Sequence, residues 1–481
     1  MRAPAFDFPE RRLFVRLFGK DVYAVGGFVR DLVRGRPSPD VDVLVARRDL
    51  ATVVRKLERH GRVDLVGKSF GIVKFTVRGR TYDVALPRTD RAAGREVPGH
   101  KDILVAADPD LPVEKDLERR DFRTNSMALR LEDGALIDPF GGRADTLARR
   151  IRLTNPAAFP DDPLRVLRVA RFASVLGFRV DPAIYPAARA VDLSGLSLER
   201  VVDELFKVLL RSPRPSVGLE EMFRLGVLEQ RFPELQALAL VIQDSLFHPE
   251  KDAYGHHTVW AHTKLAVDQA AALAGLRGLA EPRRLALLLA ALYHDLGKAS
   301  TTRWEYKRGR MAVTSCGHDI QSERAARRAL ARFGIRTWGG YDLGRMVPLL
   351  IRTHHRAGEL WANRAEVTKK AFNRLAAEVR GEIELVVLLD AADRAGRASR
   401  LVRGLDRQAR WLFGKFEELR VNRETIKPLV MGRDLIALGV PPGPEMGRLL
   451  KKLYRSQLDN AFETRAQGLA KARRLVERKA P

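Results

Sequence analysis

The stretch VGGFVRDLVRGRPSPDVDVLV, residues 25–45, decides how the first third of this 481-residue chain is read. It places two glycines, an Arg-Asp pair, a proline-containing turn and two aspartates one residue apart between strand-like runs. Asp40 and Asp42 flank Val41, and the run continues through Val43, Leu44 and Val45. In a strand, the two-residue period puts both carboxylates on one face and the three valines on the other. Two adjacent carboxylates repel unless a cation sits between them. Hard oxygen ligands of this type suit Mg²⁺, which completes its shell with water and substrate phosphate. Gly26 and Gly27 follow the strand-like VYAV and let the backbone approach a phosphate, while Arg30, opening the next helix, neutralises charge there. Asp83, inside TYDVAL, is a candidate third carboxylate. Two metals held this way would activate an attacking hydroxyl and stabilise a leaving pyrophosphate. Taken alone, Asp-Val-Asp is also a common surface turn, so its neighbours must decide.

Outward from this stretch, residues 1–150 alternate strand-like runs (VYAVGG, VDVLVA, GIVKFTVRG, TYDVAL, GALIDPF) with helical ones such as DLATVVRKLERH. The expectation is an α/β head with a small mixed sheet. From about residue 160, apolar residues recur at three- and four-residue spacing in PLRVLRVARFASVLGF, ERVVDELFKVLLR and RRLALLLAALYHDLGK, so everything downstream is expected to be helical and the fold class α+β. Turn-rich breaks at 211–216, 247–255 and 439–447 divide the helical part. The expected division is a head at 1–150, a helical neck and body at 151–245, a third domain at 246–400 and a helical tail at 401–481.

With 86 Lys+Arg against 60 Asp+Glu, the formal charge is +26. That favours a polyanionic partner such as nucleic acid, an arginine-rich proteome being the alternative. Cys316 is the only cysteine, which excludes an internal disulfide and fits a reducing compartment. MRAPAFDFPERRLF has no apolar signal core and no run approaches a membrane span, so the expectation is a soluble, cytoplasmic protein.

Gly-Gly, Arg-Asp, a turn and DxD in this order resemble the signature of class II nucleotidyltransferases, the superfamily of tRNA CCA-adding enzymes and bacterial poly(A) polymerases. DLERRDFRTNSMAL, 116–129, is similar to that family's arginine-rich head motif, with Arg123 and Ser126 departing from its usual Thr-Ile-Asn-Ala ending. The resemblance implies that Arg120, Asp121 and Asn125 orient ribose and triphosphate. FPDDPLRVLRVARF, 159–172, resembles the nucleotide-selecting motif, with Asp161 where the family usually has Glu. Its chemistry can also be argued directly. Asp161 or Asp162 ahead of Pro163 suits a helix start, and Asp162, Arg165 and Arg168 share one helical face. A carboxylate accepts from an exocyclic amine and a guanidinium donates to ring acceptors, so the pair can choose CTP and ATP over UTP and GTP without a template. A capped helix with a surface ion pair is the plain alternative. VGKSFGIVKF, 66–75, looks more like the CCA-adding branch than the poly(A) branch, and RTDRAAGREVPGHKD, 88–102, has the composition of a mobile basic loop.

Seven of the ten histidines lie between 256 and 355, within HHTVWAH, LYHDLGK, GHDIQSE and RTHHRAG, and AADRAGR follows. An adjacent His-Asp with an upstream His and a downstream Asp resembles the HD phosphohydrolase superfamily. That resemblance implies that His262, His294, Asp295 and Asp393 ligate a divalent metal, with His318 and His354 or His355 completing a second site. Imidazole with carboxylate suits Ni²⁺, Co²⁺ or Mn²⁺, and a metal-bound hydroxide would attack a phosphoester. Phosphatase or 2′,3′-cyclic phosphodiesterase action on tRNA ends is implied. MGRDLIALGVPPGPEMGRLLKKLYRSQLDNAF, 431–462, resembles the family's helical tail, and its Lys451, Lys452 and Arg455 could follow an RNA backbone.

The whole is expected to add C and A from CTP and ATP to tRNA 3′ ends. The rivals are a poly(A) polymerase, an enzyme restricted to CC or A addition, and an HD phosphohydrolase whose degenerate head only binds RNA. Oligomeric state is not legible.

Overall fold

The computed structural model describes residues 7–36, 40–66, 72–92, 103–307, 309–419 and 427–477. Three features named above therefore lie partly outside the described residues: the turn at 37–39, the Gly-Lys-Ser-Phe-Gly run at 67–71, and 93–102 of the basic stretch. The described chain divides into two compact units, Met1–Pro233 and Glu234–Pro481.

In the first unit, helix α1 (Arg11–Phe18) leads into strand β1 (Val22–Val25), which turns at Gly26 into α2 (Gly27–Val33). Strand β2 (Asp42–Val45) and α3 (Leu50–Glu58) follow, then β3 (Arg62–Val66), β4 (Ile72–Val77), β5 (Arg80–Ala85), α4 (Val113–Glu118), β6 (Ala128–Arg130) and β7 (Leu136–Ile137). The seven strands form one mixed sheet in the order β3-β4-β5-β2-β1-β6-β7. Only β2 and β5 run parallel. The alternation that marked β4 in the sequence is its burial: Val73, Phe75 and Val77 are buried, and Lys74 is exposed. Phe14, Phe75 and Tyr82 pack edge to face beneath it, an arrangement that adds to the stabilisation from area burial alone. α3 begins where the Asp49 carboxylate accepts from the Thr52 amide at 2.8 Å, an N-cap contributing about 1 kcal/mol. On either side of 93–102, Arg88–Ala92 pairs antiparallel with Ile103–Ala107.

The same unit continues into α5 (Leu164–Leu176), α6 (Leu198–Arg211) and α7 (Pro215–Arg224). The second unit contains α8 (Val259–Leu276), α9 (Glu281–Tyr293), strands β8 (Arg303–Lys307) and β9 (Arg310–Thr314), α10 (His318–Arg332), α11 (Leu343–Thr353) and α12 (Ile383–Ala395). It ends in α13 (Gly432–Ile436), α14 (Pro444–Leu458) and α15 (Arg465–Glu477), which share a small core of Leu435, Leu449, Leu453 and Ala472. The α+β class stands.

The all-helical expectation beyond residue 160 needs one correction. β8 and β9 form an antiparallel hairpin, and two-residue pairings occur at 150–151 with 179–180 and at 337–338 with 341–342. The hairpin's Trp, Tyr, Val and Thr are strand formers around a tight turn, short enough to be lost among long helical patterns.

Candidate active sites

Sheet register assembles the first site. Val25 at the end of β1 stands opposite Asp42, and Asp42 stands opposite Asp83 across the parallel β2–β5 pair. The two carboxylates are thus neighbours at the sheet end from which Gly26 departs. β2 begins at Asp42, so Asp40 is not on the strand with it. The β1–β2 register ends at the Val25–Asp42 pair, where β1 gives way to Gly26 and α2. Asp40 is exposed just upstream and is still felt by Asp42. Burial raises the Asp42 carboxyl; Arg120 pulls it down, and Asp83 and Asp40 add to the rise. Crowded oxygen donors of this kind fit a divalent cation.

Gly26 is required where it stands. Its φ is +70°, and a Cβ there would lie 3.0 Å from Arg120 Nη1 and 3.3 Å from Asp42 Oδ2. Gly27 has no such demand, since a Cβ would meet nothing closer than Arg30 Nη2 at 3.5 Å. α4 aims the arginines. Asp116, fully buried, accepts from Arg119 at 2.9 Å and from Arg120 at 3.1 and 3.3 Å. Burial raises Asp116, but Arg120 and Arg119 outweigh it and hold the carboxyl below its ordinary value.

A polar chain runs beside these groups. Asp121 accepts from Arg168 Nε at 2.7 Å, from Asn125 Nδ2 at 3.1 Å and from the Phe122 amide at 2.8 Å. Asn125 Oδ1 accepts from Arg30 Nη1 at 2.8 Å, and Arg30 also donates to Asp31. Burial raises Asp121, yet Arg168 and the hydrogen bonds keep it low. Arg30, Arg168 and Arg171 all lie over the Phe172 ring, at 5.5, 5.4 and 4.2 Å from its centroid. Arg30, Asp121, Asn125, Arg168 and Phe172 line a cavity of about 730 Å³ that also holds Gly26, Gly27, Asp83, Arg88, Arg119, Arg120, Asp162, Arg165 and Arg200. Seven arginines (30, 88, 119, 120, 165, 168 and 200) face four aspartates (42, 83, 121 and 162) there, which suits a polyphosphate accompanied by metal.

Asp162 and Arg165 both reach this cavity, joined by the Arg165 amide donating to the Asp162 carbonyl at 2.9 Å, while their side chains turn to other partners. Arg165 donates to the carbonyls of Ala158 and Arg119 at 2.6 and 2.7 Å, and Asp162 lies 3.2 Å from Arg200. α5 begins at Leu164, whose amide donates to Asp162, while Asp161 ends a short 3₁₀ turn. The sequence reading missed Asp116, Arg119, Phe172 and Arg200. The first three lie inside quoted motifs, whereas Arg200 is on another helix and carries no local signal.

The second site is buried at His262, His294, Asp295 and His354. His262 Nε2 is 2.8 Å from Asp393 Oδ1, and His294 Nε2 is 3.7 Å from the same oxygen and 3.3 Å from Asp295 Oδ2. His318, His354 and His355 form an adjoining group, with His318 Nε2 3.2 Å from His355 Nε2. All residues named from the HD pattern are therefore brought together. Three rings share one device: Nδ1 of His294, His318 and His354 bonds the carbonyl three residues upstream at 2.8, 2.8 and 2.6 Å. A carbonyl only accepts, so each Nδ1 bears the proton and each Nε2 is free to ligate. The buried Nε2 of His294 and of His354 has no hydrogen-bond partner. These orphaned donors, converging with two carboxylates, fit a transition-metal ion.

Burial pushes His262 and His294 down, but Asp393 and Glu250 on one and Asp295 and Asp393 on the other reverse it, His294 reaching about 10. Asp295 and Asp393 are held well below the usual range against their burial. His354 is driven well below its ordinary value by burial and by His355 and His294. Glu250, buried, was missed. Its Oε1 lies 2.9 Å from both His262 Nδ1 and His248 Nδ1, the place of a carboxylate that orients a metal-binding imidazole. Gly297 allows the approach of α10, for a Cβ would fall 2.2 Å from His318 O and 2.6 Å from Ser322 N.

On the tail, Lys451, Lys452 and Arg455 are exposed on α14, opposite buried Met446, Leu449 and Leu453.

Residues 22–152 match the model of the poly A polymerase head domain, 177–238 that of the probable RNA and SrmB-binding site of polymerase A, and 259–397 that of the HD domain. Fold and sites together define a nucleotidyltransferase head combined with an HD domain. The chain is 34% identical over 445 residues to the multifunctional CCA protein of Methylococcus capsulatus, spanning 90% of this chain and 92% of that one. It is 33% identical over 454 residues to the multifunctional CCA protein of Pseudomonas aeruginosa, spanning 93% and 99%. The chain belongs to the multifunctional CCA protein family. Its fold is also that of the Bacillus stearothermophilus CCA-adding enzyme solved in complex with CTP (TM-score 0.62, 22% identity, 98% and 100% covered) and of the Thermotoga maritima CCA-adding enzyme complexed with tRNA (TM-score 0.55, 20% identity, 98% and 96%).

Proposed function

We propose that this chain adds cytidine and adenosine from CTP and ATP to the 3′ end of tRNA, without a template, by nucleotidyl transfer at the head. The observation that carries this reading is the register of Asp42 beside Asp83 at the mouth of an arginine-lined cavity. Asp40, Asp42 and Asp83 would hold Mg²⁺, which when bound activates the attacking 3′ hydroxyl and offsets charge on the leaving pyrophosphate. Arg120, aimed by Asp116, and Arg30, tied to Asn125, bind phosphates and ribose. Asp121 and Arg168 hold the floor on which Asp162, Arg165 and Arg200 present donors and acceptors to the base. Arg165 has spent part of its donor capacity on two carbonyls, so it serves the pocket's shape as well as its base reading.

The HD site would hold Ni²⁺, Co²⁺ or Mn²⁺ on His262, His294, Asp295 and Asp393, with His318, His354 and His355 beside it, and would hydrolyse phosphoesters at RNA ends. Functionally the chain divides into a head at 1–150, a neck and body at 151–245, an HD domain at 246–400 and a tail at 401–481 carrying the RNA contacts Lys451, Lys452 and Arg455. Among the described residues no helix is long and apolar enough to cross a membrane, and a cytoplasmic setting fits a tRNA substrate. The test is to give the purified protein tRNA lacking CCA with labelled CTP and ATP. Addition of C, C and A is expected. Long A tracts on arbitrary RNA would make it a poly(A) polymerase, and addition that halts at CC or needs a CC end would restrict it.

A further inference from the structure

A cavity of about 220 Å³ opens beside the HD histidines, lined by His248, His318, Lys298, Phe247 and Val313 among others. Its rim is unusual. Phe247 is 55% exposed, and on the β8–β9 hairpin Trp304, Tyr306 and Met311 are 66%, 72% and 53% exposed. The hairpin's register puts these side chains together: Trp304 stands opposite Val313 and Tyr306 opposite Met311, and directly opposed residues share a face. Since Val313 lines the cavity, the aromatic face is continuous with it. The other face carries Ala312, which is buried, with Glu305 and Thr314 half-buried beside it, and the rings stand on the opposite side, exposed. Arg310 pins it by reaching Asp244 at 2.8 Å.

Exposed large rings side by side are costly to leave in water and mark a binding surface. Charge selects the occupant: RWEYKRGRMAVT holds four basic residues and one acidic one, within a chain of formal charge +26. Aromatics interleaved with cations suit unpaired bases on a polyanionic backbone, because every base offers a ring face to stack. Trp304 and Tyr306, two residues apart on a strand, stand about 7 Å from one another and so meet different bases.

We propose that Phe247, Trp304 and Tyr306 form a stacking platform for the last unpaired nucleotides of an RNA, whose terminal phosphate is delivered to the HD cavity. The proposal rests on the HD reading above and adds to it the residues that would hold the RNA end. In the full-length protein, Trp304→Ala with Tyr306→Ala should lower kcat/KM about a hundredfold on a ten-nucleotide RNA ending in a 2′,3′-cyclic phosphate, about tenfold for each lost stack. Hydrolysis of 2′,3′-cyclic AMP should change less than about threefold, and Trp304→Phe with Tyr306→Phe should restore the RNA activity. Equal losses on both substrates, or none, would overturn the platform. A second measurement stands apart from hydrolysis: the same RNA with 4-thiouridine at its 3′ end is crosslinked by light and the adduct mapped. Adducts on Trp304, Tyr306 or Phe247 are expected, and adducts found only elsewhere would overturn the proposal. Should the wild type hydrolyse neither probe, the HD reading fails and the crosslink alone decides the platform.

Discussion

The two sites solve one problem, holding charge for phosphate chemistry, by opposite means. In the head, buried carboxylates aim arginines into an open cavity, and Arg30, Arg119, Arg120 and Arg168 are each met by another side chain. In the HD domain, His294, His318 and His354 are oriented by backbone carbonyls and Glu250 stands beside His262, with the buried Nε2 of His294 and of His354 left without a hydrogen-bond partner. The first arrangement is built to receive a large anionic nucleotide. The second is built to receive a small cation. Side-chain networks tolerate exchange poorly when one member is lost, because the partner stays buried and unpaired; a carbonyl-oriented imidazole loses only its own ligand bond.

The largest effect that separates them is on chemistry. Asp42→Asn should lower nucleotide incorporation about a thousandfold, since several kcal/mol of transition-state charge stabilisation depends on the metals, while hydrolysis of 2′,3′-cyclic AMP is unchanged. His294→Ala should do the reverse, and should also remove the rise in melting temperature that Ni²⁺ or Mn²⁺ produces in the wild type. Loss of both activities in either variant would break the separation.

Next in size is Arg168→Ala. It leaves Asp121 buried without its cation, which costs about 3–5 kcal/mol of stability, read as a lower urea midpoint for unfolding, with a raised KM for CTP and ATP. Asp121→Asn should cost less, because an uncharged amide is easier to leave in place. Glu250→Gln sharpens the other side: metal affinity, measured by titration calorimetry, should fall about ten- to a hundredfold, with no change in nucleotide incorporation.

The smallest effect is on pH. Asp116 and Asp121 are both depressed in the folded state. Their contribution is therefore complete above the unfolded carboxyl value of about 3.9 and is lost as pH falls through the folded values. The urea midpoint of the first unit should drop steeply below about pH 4, and Asp116→Asn should flatten that slope. An unchanged slope would show that Asp116 does not carry this linkage.

Much of this was legible from local pattern. Asp42 and Asp83 sit in short apolar strands, so their placement followed from strand period, and the HD ligands followed from an ordered set of His and Asp. What escaped was tertiary. Asp40 was taken for a strand residue because nothing local says that β1 stops at Val25. Glu250 lies in FHPEKDAYG, which reads as a turn, and its role exists only because the fold sets it against His262. Arg200 on α6 meets Asp162 just ahead of α5, a contact with no periodicity to betray it. The β8–β9 hairpin carried strand formers, yet its length was too small to stand out between helices.

The central claim is that two independent phosphate chemistries share one chain. It is tested most directly by presenting tRNA that lacks CCA and ends in a 2′,3′-cyclic phosphate, together with labelled CTP and ATP, to wild type, Asp42→Asn and His294→Ala. The wild type should hydrolyse the cyclic ester to a monoester, hydrolyse that in turn to release inorganic phosphate, and extend the freed 3′ hydroxyl by C, C and A. Asp42→Asn should release the phosphate without extension, and His294→Ala should extend only tRNA supplied with a free 3′ hydroxyl. Extension by Asp42→Asn, or phosphate release by His294→Ala, would contradict the account.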